Sequence, residues 1–408
     1  MSRQKDIDIL RKLADRYIEI CRNERQEELR DLWRQHNSLK KTRPLVLVRG
    51  GKAFAHEIPE LQELDCENQV FRGIEKQLRT NLFCASLNDD RIFDPWIVVK
   101  AVHNCAGWGI SGARESAGDD LTSWKVDYPL KKPEDLEKLR FPWHEINEEE
   151  TQQQHEEVMA AVGDIIDVAV DRAPPYRSFA GDISTSLHYL RGIENFMMDM
   201  MDNPEWLHRL AAFLRDGILA THEQAEEAGD WTLIDHTNQA VEYAQELSDP
   251  SPDPTPVRRQ DLWYFAAAQE FAGVGPQMHD EFLLQYQLPI ISKFGLVAYG
   301  CCEDLTNKID MLRQIPNLRR IAVTPWADVR KCAEQIGTDY VISWRPSPTD
   351  MVCAEFKPQR IRSITQEALE ACRGLHVDIT LKDIQTVRNE PERLKEWVSI
   401  TKDVAQSF

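Results

Sequence analysis

The stretch Gly295-Leu-Val-Ala-Tyr-Gly-Cys-Cys-Glu-Asp304 joins a short apolar run to two adjacent thiols and two carboxylates. The apolar part reads as a β-strand. The polar residues after it cannot all be core, because acidic side chains are poor companions in an apolar interior. In a continuing strand the two cysteines would point to opposite faces, so they converge only if the strand has ended. A strand that ends in chemistry is the mark of a parallel α/β fold, where loops after the strands build the site.

The same rhythm recurs on both sides. Short apolar or β-branched runs occur at 164–171, 231–235, 295–300, 319–324, 339–344 and 375–381, with amphipathic helical stretches between several of them, such as Ile193–Leu219 and Asp280–Phe294. Repeated strand-then-helix order predicts parallel strands with helices outside. Six strands, with room for two more, predict a TIM-type eight-stranded α/β barrel. Several of the runs end in polar groups: Asp171-Arg172, Asp235-His236, Trp344-Arg345, and Asp378, Thr380, Lys382 and Asp383 in "HVDITLKD".

Upstream, Ile7, Leu10, Leu13, Tyr17, Ile18 and Cys21, then Leu29, Leu32 and Trp33, recur every three or four residues among charges, which predicts two amphipathic helices. Residues 1–80 are accordingly expected to be a helical extension packed on a barrel of residues 81–408, and its amphipathic face suits a homo-oligomer. Within it "PLVLV" is apolar but short, and "DPWIVVKAV" (94–102) reads equally as strand or buried helix. The segment Ser248–Pro256, "SDPSPDPTP", carries four prolines and is predicted to be a loop, either a lid or an inert surface segment.

Composition narrows the function. The chain has 408 residues, 42% of them hydrophobic, and a formal net charge of −19. That charge argues against binding to nucleic acid or to an anionic membrane, since either needs a basic face. No run of about 18 apolar residues and no leader pattern is present, so a cytoplasmic protein is expected. Nine cysteines, odd in number and scattered, point to reduced thiols and not to a disulfide framework.

A thiolate at a strand end needs a partner to stabilise its charge, and zinc is one, taking Cys, His and carboxylate ligands. Cys301, Cys302, Glu303 and Asp378 are the candidate metal ligands. Asp235, His236, Glu303, Lys382 and Asp383 are the candidate acid–base groups, and Arg172, Tyr299 and Arg345 the candidate substrate contacts. His103 and Cys105 show a His-x-Cys spacing, but on a weak pattern.

Three segments carry a family resemblance. "LRGIENFMMDMMDNPEWLHRLAAFLRDGIL" (190–219), preceded by "FAGDISTSLHY", resembles the central helix signature of the uroporphyrinogen decarboxylase superfamily. "YPLKKPEDLEKLRFP" (128–142) and "DEFLLQYQLPIISKFG" (280–295) resemble its preceding and following helices, so the likeness spans about residues 128–390. It implies a single TIM-type barrel. The arginine-rich substrate loop of the haem-pathway decarboxylases is missing, which points to the branch of zinc methyltransferases that work with corrinoid proteins. In that branch a strand ends in His-x-Cys and a further Cys follows at the last strand. Here Tyr299 stands at the His, Cys301 at the first Cys, and Asp378 nearest the second; Cys302, Glu303, Asp378 or His236 would then complete a zinc site.

The resemblance thus implies a methyltransferase moving a methyl group between a small-molecule donor or acceptor and a corrinoid held on a separate protein, with zinc binding a substrate thiolate or polarising a methyl ether. Two alternatives stand beside it. One is a lyase acting on a small carboxylate through Asp235, His236 and Lys382, with Arg172 or Arg345 holding the anion. The other is a barrel that binds a corrinoid or other tetrapyrrole without turnover.

Overall fold

The structure is a computed structural model and describes residues 2–50, 54, 56–105, 107–116 and 124–408. Among the described residues the strands are β1 (Leu45–Val48), β2 (Trp96–Lys100), β3 (Ala113–Ser116), β4 (Trp124–Asp127), β5 (Asp167–Asp171), β6 (Trp263–Ala266), β7 (Leu296–Tyr299), β8 (Leu318–Val323), β9 (Val341–Trp344) and β10 (Val377–Leu381). Six of them form one parallel sheet in the order β1-β10-β9-β8-β7-β6. A second, two-stranded parallel sheet pairs β2 with β5, while β3 and β4 form an antiparallel hairpin. The architecture is therefore α/β with a parallel six-stranded sheet and many helices. The ladders do not close into a continuous barrel among the described residues.

The two free edges of the large sheet have a physical explanation. On β1, the backbone N–H of Val46 donates to Asp90 Oδ2 and that of Val48 to Asp89 Oδ2, both at 2.9 Å. On β6, the N–H of Trp263 donates to His236 Nδ1 at 3.1 Å and that of Phe265 to Thr237 Oγ1 at 3.2 Å. Side chains thus take the ladder positions where a neighbouring strand would otherwise sit, which leaves no edge free to pair.

Five of the six predicted runs are strands. The exception is Trp231–Asp235, where Leu233–Asp235 make a 3-10 turn. Asp235 Oδ2 accepts from the N–H of Thr232 at 2.7 Å and from its Oγ1 at 3.0 Å, and this reciprocal closure defeats the extended pattern of the apolar letters. "DPWIVVKAV" resolves as a strand. Residues 1–80 do not stand apart from the sheet, since β1 lies within them and pairs with β10. The long helix expected from Ile193 breaks at Asn203, with Pro204 opening Pro204–Ala228, as a residue without an N–H costs least in the first turn of a helix. Ser248–Pro256 has no regular structure, and Arg34 Nη2 binds Asp249 at 2.6 Å, pinning the proline-rich loop to the helix Glu24–Asn37.

Strand alternation divides the sheet into two faces. Val46, Val48, Val297, Tyr299, Ile321, Val323, Ile342 and Ile379 belong to the main core with the outer helices. On the other face Leu45 and Leu47 pack with Trp33, Val241 and Tyr243, and Trp263, Leu296 and Ala298 pack with Ala244. That inner face also holds a charge cluster: Arg320 Nη2 lies 2.6 Å from Asp378 Oδ2, Ser343 Oγ donates to Asp378 Oδ1 at 3.0 Å, and His36 Nε2 is 3.2 Å away. Burial alone would raise the Asp378 carboxyl, but the Arg320 charge and the bonds from His36 and Ser343 hold it down at about 2.

Two outcomes are expected for Asp378. Its folded pKa lies below the ordinary carboxylate value of about 3.9, so it contributes about 2 kcal/mol above that pH, lost progressively as pH falls from about 4 to about 2. Asp378→Asn leaves the buried Arg320 charge uncompensated and should destabilise the fold by about 3–5 kcal/mol at neutral pH, measured by denaturant unfolding. A loss under about 1 kcal/mol would show that the pair does not organise the inner face.

Candidate active site

All strands of a parallel sheet end at one edge, and here that edge gathers Arg49, Cys301, Arg345 and Lys382 after β1, β7, β9 and β10. At the end of β7, Gly300 has φ +101°, and a Cβ there would lie 2.7 Å from Leu305 and 3.0 Å from Ala322. Only glycine permits both the backbone turn and the close approach. The strand therefore stops, and the two cysteines converge, with their sulfurs 3.5 Å apart.

Glu303 fixes the turn. Its Oε2 accepts from the N–H groups of Cys301 at 2.8 Å and Cys302 at 2.9 Å, and its Oε1 from the N–H of Ala268 at 2.8 Å. The carboxylate is buried and acts as a clamp on three backbone donors, tying β7 to the chain after β6. Arg345 adds a further tie by donating from Nη1 to the Cys301 carbonyl.

Lys382 lies among the sulfurs. Its Nζ is 3.0 Å from Cys301 Sγ, 3.3 Å from Asp383 Oδ2, 3.5 Å from Gln239 Oε1 and 3.6 Å from Cys302 Sγ. Gln239 Nε2 also reaches Cys301 Sγ at 3.5 Å, and Cys302 Sγ lies 3.4 Å from Asp383 Oδ2. Asp383 adopts a left-handed backbone, φ +58°, as strained residues near sites often do. The hydrogen bond shared with Cys302 and, against the effect of burial, the charges of Lys382 and Arg345 hold the Cys301 thiol well below the ordinary range. The same shared proton, together with burial, pushes Cys302 up. The pair shares a proton beside Lys382, with Cys301 the sulfur favoured to carry the negative charge.

The structure thus brings together Cys301, Cys302, Glu303, Lys382, Asp383 and Arg345. It places the other sequence candidates elsewhere. Asp235 meets Arg177 at 3.0 Å, and burial raises its carboxyl. Burial lowers His236 to about 4 while its Nδ1 caps β6. Arg172 lies between Asp230 at 2.5 Å and Glu148 at 2.6 Å. Tyr299 turns to the outer face, where its hydroxyl donates to Gln287 at 2.8 Å and meets His279 Nε2 at 2.9 Å. Asp378 belongs to the Arg320 cluster on the inner face.

Sequence reasoning missed Gln239, whose only signal is the polar run "DHTNQ" after residue 234. It also missed Arg177 and Glu242, the latter raised to about 7 by burial against the charge of Arg49.

A cavity of about 830 Å³ opens nearby, walled by Trp108, Ile110, Tyr176, Phe179 and Leu190, with His103 and Thr185 among its polar groups. A second cavity of about 470 Å³ shares His103 and Pro175 with it and is lined by Lys100, Asp171, Arg177 and Thr237. Two connections lead from here to the thiols. Phe179 packs edge-on against Phe265, centroids 5.1 Å apart, and Phe265 packs with Cys301. Thr237 lines the second cavity, and Gln239 lies two residues further along the same segment.

No known family profile matches the chain, and no curated protein matches it. Among solved structures, a methyltransferase from Methanosarcina mazei superposes with a TM-score of 0.53 at 14% identity, over 92% of this chain and 98% of that one. At that identity the likeness is one of fold.

The cysteine cluster does not fit zinc as arranged. Among the described residues no three His, Cys, Asp or Glu side chains are grouped to hold a metal ion. Glu303 is committed to three N–H donors, Asp378 to Arg320 and Ser343, and the space between the two sulfurs and Asp383 is filled by Lys382 Nζ.

Cys353 is exposed and supplies an internal standard. Iodoacetamide should alkylate Cys301 at lower pH than Cys353, and peptide-resolved mass spectrometry reads both. Coincident profiles would show that Cys301 is not held as thiolate. Glu303→Gln keeps the size but turns an amide N–H toward backbone donors, so it should cost about 1.5–3 kcal/mol and slow Cys301 alkylation.

Proposed function

We propose that this chain is a methyltransferase whose methyl-handling centre is the Cys301 thiolate at the strand-end rim. The reading includes an eight-stranded α/β barrel, in which β2 and β5 complete the circle between β1 and β6 across the side-chain-capped edges. The observation that carries it is Cys301 Sγ at 3.0 Å from Lys382 Nζ, with Phe265 clustered with Cys301 and edge-on against Phe179, which lines an 830 Å³ cavity. The fold likeness to a methyltransferase over nearly all of both chains supports the architecture, and the sequence resemblance supports the class of reaction.

A volume of this size suits a small molecule, and its wall is mainly apolar with a few polar groups. A methyl donor held there reaches the sulfur once Phe179 and Phe265, which pack on each other between cavity wall and cysteine, turn aside. The C–S bond forms as the bond from the methyl to its carrier atom breaks; the electron pair leaves on the carrier atom, and Lys382 gives that atom a proton. The ammonium becomes an amine and the thiolate a methyl thioether, so charge and atoms balance. The methyl then passes to an acceptor at the rim and the C–S electron pair returns to Cys301. A corrinoid on a separate protein is the acceptor this reading names. Arg345 and Glu303 hold the backbone of Cys301 and so position the sulfur.

The carboxylate-lyase alternative needs Asp235, His236 and Lys382 in one place. They lie in three separate sets of contacts, which gives that reading no support.

Incubation with methyl p-toluenesulfonate followed by peptide mass spectrometry should place one methyl group on Cys301. Lys382→Met should slow the step by about 10²–10⁴-fold, the usual worth of a positioned proton donor, and Cys301→Ser should abolish both this label and methyl transfer to a reduced corrinoid protein. Undiminished transfer by Cys301→Ser would overturn the proposal.

A further inference from the structure

The cluster around Lys382 has the layout of a small cation site: two sulfurs, a carboxylate oxygen and an amide oxygen converge on one point. They lie 3.0 Å (Cys301), 3.6 Å (Cys302), 3.3 Å (Asp383) and 3.5 Å (Gln239) from a single atom, Lys382 Nζ. We propose that the Lys382 ammonium is itself the cation of this site, carried directly after β10, and that it takes the place of a metal ion in holding the cysteine pair. The inference rests on reading that pair as the reactive centre, but not on the identity of the reaction.

Three observations argue for it. First, an ammonium is a compact point charge with three N–H donors and no acceptor, so it can serve sulfur, carboxylate and amide oxygen at once. Its stem is held in place: Asp378 and Thr380 share one face of β10, Lys382 follows the strand's last residue, and its side chain is only 11% exposed. Second, the donors that could have completed a metal shell are engaged in other work. Glu303 clamps the amides of Ala268, Cys301 and Cys302, and His236 Nδ1 caps the N–H of Trp263. Third, the site cannot hold both cations. Zinc bonds a thiolate at about 2.3 Å, and an ammonium 3.0 Å from the same sulfur would face it at a separation where like charges repel strongly away from bulk water.

The functional consequence is a difference in what activates the sulfur. A metal withdraws electron density through a bond to sulfur, whereas an ammonium stabilises the charge without occupying a coordination position and can also release a proton. Cys301 would then be a ready nucleophile with an acid attached.

Zinc binding without any methyl donor tests this directly. Metal-stripped protein is titrated with zinc against a colorimetric chelator, comparing the natural chain with Lys382→Ala, Lys382→Cys and Lys382→Ala/Cys301→Ser. Emptying the cradle should create a zinc site at least about 100-fold tighter than in the natural chain. Lys382→Cys, which supplies a third sulfur, should bind one zinc more tightly still, and Cys301→Ser in the Ala background should remove the gain. Circular dichroism identifies a variant that has not folded, and the Cys variant then stands in for the Ala variant. Tight one-to-one zinc binding by the natural chain, lost on Cys301→Ser, would overturn the inference. So would a failure of both folded Lys382 variants to gain zinc.

A protein that shows the expected zinc pattern but leaves Cys301 unmethylated would refute the methyl-transfer reading while leaving the lysine cradle intact. Methylation of Cys301 with tight zinc in the natural chain would do the reverse.

Discussion

The pleat of β10 is the constraint on which both the stability and the chemistry of this protein depend. Side chains two apart on a strand share a face, so Asp378 and Thr380 turn inward along the strand, and Lys382, directly after its last residue, lies on the same side. The lowest of them is paired with Arg320 and buried completely, while the highest emerges at the rim beside the cysteines. A one-residue slip of β10 against β1 or β9 would send all three to the helical side and expose apolar Ile379 and Leu381 inward instead. The register that satisfies the Arg320 charge is thus the same register that delivers an ammonium to Cys301. Fold and site are not separately adjustable here.

The rim is finished by groups that bind backbone. Glu303 gathers three N–H donors from two strand ends, and Arg345 holds the carbonyl of Cys301. Such contacts make a short turn rigid without placing a second carboxylate against the sulfur, which would raise its pKa and weaken it as a thiolate. The result is a buried thiol whose neighbours are Lys382, Gln239, a partner thiol and Phe265, with the half-exposed Asp383 and partly exposed Cys302 beside it.

Much of the architecture could be read from the letters, because a buried parallel strand is a near-continuous apolar run and five such runs were bounded by clear turn signals. "WYFA" at β6 escaped because it follows a proline-rich loop and precedes "AAQEF", a helix-like composition that masks a four-residue strand. Trp231–Asp235 misled in the opposite sense: its apolar letters suit a strand, but Thr232 and Asp235 close a turn on each other. At the site, strand-end position correctly drew attention to Cys301, Cys302, Lys382, Asp383 and Arg345, which the fold assembles. Their division of labour was not legible. Nothing in "CCED" tells that the glutamate binds amides, and nothing near residue 239 tells that a glutamine from a long irregular segment completes the cluster. The glutamate's reach to Ala268 spans 35 residues, and the contacts of Gln239 with Cys301 and Lys382 span 62 and 143, separations that periodicity does not register.

The pairing of a buried thiolate with an internal ammonium has a cost and a consequence. Desolvating either charge alone would be prohibitive, and removing water from both is tolerable only because each lies at the other's charge and further donors and acceptors complete the shell. Cys302 matters in this balance. By sharing one proton with Cys301 it lets the pair carry a single negative charge, which Lys382 faces together with the Asp383 carboxylate. On the proposed reading, a methyl group arriving on Cys301 would remove the thiolate charge and leave the Asp383 carboxylate, 3.3 Å away, as the remaining ionic partner of Lys382.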